Sequence, residues 1–183
     1  MITKTKTMIK VGIAILATAI ILLGVGAIYI HHNLSTYFIY YARHIPHAEG
    51  TNPEMVFILD HLDSMGESTI EGLRYDTDGY NAIIKDETFS LSNNPFNDSA
   101  KYDVFFSQSH YTYLFDGEGK FISYWYLDEN DKGEYEKSEA RKSEAQGYVD
   151  EVINPIVEKM EVKPKINLQW LFNQKYQKRF SSG

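Results

Sequence analysis

The chain has 183 residues, 43 % hydrophobic and 14 % aromatic, enough for one compact core and well outside the composition of disorder. It contains no cysteine, which excludes disulfides, thiolate metal sites and cysteine nucleophiles. The net charge of −7 is uneven: residues 49–161 hold all 25 acids against nine bases, residues 162–183 hold five bases and no acid, and so acidic a body repels nucleic acid.

Lys4, Lys6 and Lys10 precede an uncharged, mostly apolar run from Val11 to Ile30, which as a helix spans about 30 Å, the thickness of a bilayer core. The reading is a cytoplasmic basic segment over 1–10 and a transmembrane signal-anchor helix over 11–30, with everything from His31 onward outside. Val25-Gly26-Ala27 leaves a cleaved signal peptide as the alternative. Leu34, Phe38, Tyr41 and Ile45 recur at helical spacing before Pro46, so residues 31–50 read as a juxtamembrane stalk. Tyr29, Tyr37, Phe38, Tyr40 and Tyr41 are then expected at the outer headgroup level. His31, His32, His44 and His47 lie in this stalk without a carboxylate frame and read as solvated.

Residues 51–183 read as the exported domain. Asn52 caps a helix that begins at Pro53, presents Met55, Ile58, Leu59, Leu62 and Met65 on one side, and ends at Gly66. The pattern then alternates. Two strands are expected around the turn Asp76 to Gly79, the second running as far as Leu91, followed by a loop over 93–100 and a strand over 101–108. Tyr111–Phe115 and Phe121–Leu127 form a hairpin around Asp116–Gly119. Helical period returns over 134–162, with Val149, Val152, Ile153, Ile156 and Met160 on one side. Ser143 and Gln146 have capping-box spacing, and Pro155 marks a kink or a new start. Ile166–Leu171 alternates like a strand, and a basic aromatic tail follows. The fold class is α+β: an antiparallel, curved β-sheet with helices packed on one side.

A nucleophile elbow, a HExxH helix and a framed acid-base pair are missing from this sequence, so no catalytic role and no cofactor is expected. The segment 128–139 follows a calcium loop in part, but Lys132 stands where an oxygen ligand is required, and it reads as a charged connection. The aromatic hairpin is the remaining candidate. Both of its faces carry apolar rings, so one is covered by helices and the other is either capped as core or left exposed for a partner. The expected interface is Tyr111, Tyr113, Tyr124 and Tyr126 on the exposed face, with Asp103, Asp116, Glu118 and Asp128 as nearby acids.

The apolar run, the cysteine-free acidic domain, the strands KYDVFFSQ and KFISYWYL and the ending INLQWLFNQKYQKRF together resemble the TipC-like immunity proteins of Gram-positive bacteria. The resemblance implies a membrane-anchored antitoxin, monomeric when unbound. It would bind and neutralise a secreted protein toxin of the type VII pathway that attacks a cell-wall lipid precursor. It transfers no binding residue. The competing expectation is a cell-envelope accessory or ligand-binding module serving a transporter or a cell-wall enzyme.

Overall fold

The computed structural model describes residues 2–94, 100–107, 111–127 and 132–181, the first ten of these by backbone alone. Helix α1 (Ile2–Thr36) contains the stretch Gly12–Thr36, long and apolar enough to cross a membrane, with its side chains exposed as far as Ile30 and with Asn33 and Leu34 turned into the domain. At Tyr37 it bends into α2 (Phe38–Arg43), while Tyr37 N still donates to Asn33 O and Tyr41 N to Tyr37 O, both at 3.1 Å. No separate stalk intervenes. Phe38, Ile39, Tyr41, Ala42 and Ile45 are buried in the core, so the spacing that read as a stalk over 31–50 is a core-facing stripe. Of the rings expected at the headgroup level, Phe38 and Tyr41 are therefore inside the domain.

Helix α3 (Pro53–Asp60) is capped by Asn52, whose Oδ1 accepts Met55 N at 2.9 Å, and a short 3-10 turn over Leu62–Ser64 closes it. Phe57 is its hub, 4.9 Å from the rings of both Phe172 and Tyr176 and 5.8 Å from Phe180. Each such aromatic pair adds about 0.5–1.5 kcal/mol beyond the area it buries.

Seven strands follow in chain order as a simple antiparallel meander: β1 (Leu73–Asp76), β2 (Ala82–Lys85), β3 (Phe89–Asn93), β4 (Tyr102–Phe106), β5 (Tyr111–Phe115), β6 (Phe121–Leu127) and β7 (Gly133–Glu136). The run expected as one strand to Leu91 is two. Asp86 and Glu87 both take positive φ, the conformation of a hairpin turn whose twist matches its strands, and Thr88 N returns to Lys85 O at 2.8 Å. Asp-Glu lacks the glycine that usually announces such a turn. At the other end of the sheet, residues 133–136, of which 134–136 were expected to begin the helical stretch, form an edge strand.

Helix α4 (Lys142–Met160) runs on through Pro155, and no side chain caps its start; Gln146 bonds Asp150 instead of closing a box with Ser143. Helix α5 (Gln169–Phe180) replaces the strand expected over 166–171. Phe172, Tyr176 and Phe180 recur every fourth residue against Phe57, a helical stripe that outweighs the short alternation before it. The helices of the domain fill one face of the sheet, as the α+β expectation required, through Leu73, Ile83, Phe89, Leu91, Tyr102, Val104, Tyr113 and Phe115. Gly119, at φ +77°, sits where a Cβ would meet Asn52 O at 3.0 Å, and Asn52 N donates to Glu118 O at 3.0 Å, so the β5–β6 turn is pinned to the start of α3.

Candidate functional site

Side chains alternate between the faces of a sheet, so the registers sort every ring on β4–β7. Tyr113 faces Val104 and Tyr124, while Tyr111 faces Tyr126, all on the helix-covered side. Tyr113 and Tyr124 are only 2 % and 6 % exposed. Tyr148 of α4 stacks on Tyr113 at 5.8 Å, and burial pushes the Tyr113 hydroxyl up to about 12. The expected exposed face is thus the core face at these two positions. Its tyrosines resemble interface residues because they end in hydroxyls, but those hydroxyls are satisfied from within the chain.

The tyrosines nearer the margin form a rim. Tyr111 is 37 % exposed and stacks with Tyr126 at 6.0 Å, and the Arg141 guanidinium lies 5.1 Å and 5.0 Å from the ring centres of Tyr111 and Tyr124. Tyr126 donates to Glu134 at 3.1 Å, Tyr124 donates to Glu136, and Arg141 pairs with Glu144 at 2.9 Å. These carboxylates raise the Tyr124 and Tyr126 hydroxyls above their ordinary value, the hydrogen bond from each being the main cause. The acids beside the tyrosines are therefore Glu134, Glu136 and Glu144, supplied by β7 and α4.

The acids expected there are dispersed. Asp116 and Glu118 lie on the β5–β6 turn, at the far end of the hairpin from Tyr111 and Tyr126. Asp116 Oδ1 accepts Glu118 N at 2.8 Å and Lys120 N at 2.9 Å, which shapes the turn. Both border a cleft of about 530 Å³ together with Asp60, Lys101, Tyr102 and Arg179. In that cleft Arg179 bridges Asp60 and Tyr102, each at 2.9 Å. Asp103 is on the opposite face from the tyrosines, and Asp128 lies outside the described residues, as do Asp128–Asp131 of the calcium-like segment. Among the described residues no group of three or more His, Asp or Glu side chains is arranged to hold a metal ion.

The face that the helices leave open carries two cross-strand rows. One runs through Ala82, Ser92, Asp103, Leu114 and Ser123, and the other through Ser90, Phe105, Thr112, Trp125 and Tyr135. The first row is largely buried and the second is not. Phe105 is 49 % and Tyr135 68 % exposed, with Trp125 half-buried between them. The signal for this face was in the sequence: Ser90, Ser92, Asp103, Thr112 and Ser123 mark the side turned away from the helices by their polarity, and Phe105, Trp125 and Tyr135 stand out within it.

Trp125 has a built seat. A Cβ on Gly133 would come within 2.7 Å of Trp125 Nε1, so the indole lies directly over the glycine of the edge strand. Gly133→Ala is expected to displace the indole while the core, on the other face, stays folded. A shift in tryptophan emission without a change in far-UV circular dichroism checks this.

Asp103 accepts hydrogen bonds from Ser92 and, at 3.0 Å, from Asn94, beside a cleft of about 310 Å³ that also takes Tyr80, Ser90 and Phe105. Burial holds its carboxyl above the ordinary value, with these two donors opposing. A raised acid binds its proton more tightly when folded than when unfolded. Its ionisation therefore weakens the fold as pH climbs from the unfolded value near 3.8 through the folded one. Asp103→Asn is expected to melt at a higher temperature than the wild type at neutral pH, and at the same temperature once pH falls below that window; thermal denaturation across pH measures both.

Comparison of the chain with protein-family models, with curated proteins and with solved structures gives no match.

Proposed function

We propose that the protein is a membrane-anchored extracellular immunity protein that binds and neutralises a secreted antibacterial toxin through the open face of its sheet. The observation that carries this reading is the row Phe105, Thr112, Trp125 and Tyr135: three aromatic side chains, Phe105 and Tyr135 exposed and Trp125 half-buried, in register across β4–β7 on the side away from the helices, where the other face of β4–β6 is already filled. Trp and Tyr dominate the energetic centres of protein interfaces because they bury much area at little entropic cost. A contiguous exposed aromatic patch on a domain with a complete core is a contact surface first.

The remaining support comes from charge and from α1. An acidic domain associates faster with a partner of opposite potential. Lysines before the apolar run favour an outside domain, and a helix of this length would hold the inhibitor where an externally acting toxin meets its lipid substrate. The resemblance to TipC-like proteins points to the same role. A ligand-binding accessory module is the second reading, favoured by the cleft beside Asp103.

The test pairs the full-length chain, in detergent, with the product of a secreted-toxin gene adjoining its own, by sedimentation, and pairs cells bearing the chain with toxin applied outside. A complex together with survival supports the proposal. Absence of both, with a folded chain at the cell surface, overturns it.

A further inference from the structure

The segment that joins α4 to α5 is bound to the root of the anchor helix. Asn33, buried, donates through Nδ2 to Ile166 O at 3.2 Å and accepts Tyr41 Oη at 2.6 Å. Tyr41 Oη in turn accepts Leu168 N at 3.1 Å, and Tyr41 O accepts Gln169 Nε2 at 3.0 Å. Asn33 follows Ile30, the last residue of the apolar run, by three positions, about 4.5 Å along a helix. The Ile166 backbone is therefore held within about one helical turn of the level where the apolar run ends.

This segment exposes what a headgroup layer accepts. Val162, Ile166 and Trp170 are 59 %, 54 % and 65 % exposed, with Lys163 and Lys165 exposed between them and Pro164 buried as their pivot. Tryptophan favours the membrane interface, and lysine beside it meets lipid phosphates. Charge agrees: the acidic tract ends at Glu161, and the basic end of the chain begins where the domain adjoins α1.

We propose that residues 162–170 form a second membrane contact, seated in the headgroup layer of the bilayer that holds α1, with Ile166 and Trp170 entering it and Lys163 and Lys165 against phosphates. The contact rests on α1 spanning that bilayer and is independent of the toxin and of which side the domain occupies. It orients the domain: two points of attachment, joined through buried Asn33 and Tyr41, hold the sheet at a set angle to the membrane.

The absence of cysteine makes a direct test clean. Single cysteines at Leu23, Ile166, Trp170 and Tyr80 in the full chain each receive an environment-sensitive fluorophore, in phosphatidylcholine vesicles with and without phosphatidylglycerol. Labels at positions 166 and 170 are expected to be quenched severalfold more by brominated lipid, and severalfold less by iodide, than the label at position 80. Lys163→Glu with Lys165→Glu is expected to lower the docking equilibrium constant in the anionic vesicles, on the order of fivefold or more per lysine. Labels at 166 and 170 as open to iodide as the one at 80, with the Leu23 label inside the bilayer, overturn the contact. A Leu23 label in water overturns the anchor and the contact together. Shielding at 166 and 170 that appears in detergent and grows with protein concentration assigns the surface to a second copy and also overturns it.

Discussion

Trp125→Ala combined with Tyr135→Ala is expected to weaken binding of the proposed toxin partner by about two to three orders of magnitude while the domain stays folded. Truncating an interfacial hot spot costs about 2 kcal/mol or more, and each 1.4 kcal/mol is about tenfold in affinity. Both side chains lie on the open face, with Tyr135 on an edge strand whose four residues are all exposed, so the core beneath keeps its packing. The loss in stability should stay near 1–2 kcal/mol, most of it from the indole leaving its seat on Gly133. Titration calorimetry on the folded double variant measures the affinity. Wild-type affinity would remove the open face from the interface, whichever other surface then carried it.

Tyr113→Ala should fail for the opposite reason. Its ring meets Phe106 at 6.1 Å, Phe121 at 6.4 Å, Tyr124 at 6.3 Å and Tyr148 at 5.8 Å, and almost none of it is exposed. Removing a buried aromatic ring costs about 3–5 kcal/mol, a large part of the 5–15 kcal/mol that holds a typical domain together. Urea unfolding of the full chain in detergent should therefore show a midpoint shifted far toward water. Tyr113→Phe keeps the ring and should cost about 1 kcal/mol, the value of one hydroxyl contact. If the alanine variant kept wild-type stability, the assignment of this face to the core would be wrong. The two experiments together separate loss of binding by unfolding from loss of a contact, which matters because rings on both faces are aromatic.

The hairpin shows how far local pattern reaches. Alternation located β4, β5 and β6 to within a residue or two and put Tyr102, Val104 and Phe106 on one face, because a period of two follows from strand geometry alone. Which face meets water is a different matter. It depends on α4, which arrives later in the chain and brings Tyr148 against Tyr113 and Phe106. A tyrosine face and a face bearing Trp125 look equally suited to a partner until one of them is covered.

Elsewhere the local signal was weak or divided. Asp86-Glu87 bends β2 into β3 at positive φ without a glycine, a conformation tolerated because Asp86 N donates to Gly72 O at 2.9 Å and Thr88 N to Lys85 O. Ile166, Leu168 and Trp170 alternate, yet no sheet edge receives them, and the longer stripe of Phe172, Tyr176 and Phe180 draws the segment into α5. Gly133–Glu136 lies in a charged stretch that suits a helix surface as well as an edge strand. The Tyr124 and Tyr126 hydroxyls decide for the strand by bonding Glu136 and Glu134.

By itself the sequence determined the apolar helix, the mixed α+β composition, the capped start of α3, the central hairpin and the split between an acidic body and a basic end. Each of these depends on residues close together in the chain or on simple sums of charge. Only the tertiary structure decided that Phe38, Ile39, Tyr41, Ala42 and Ile45 belong to the core, that Tyr113 and Tyr124 are inside while Phe105 and Tyr135 are outside, and that Ile166 lies against Asn33. The physical reason is that exposure is a property of pairs of surfaces: an amphipathic segment states that it will bury one side, and its distant partner determines which.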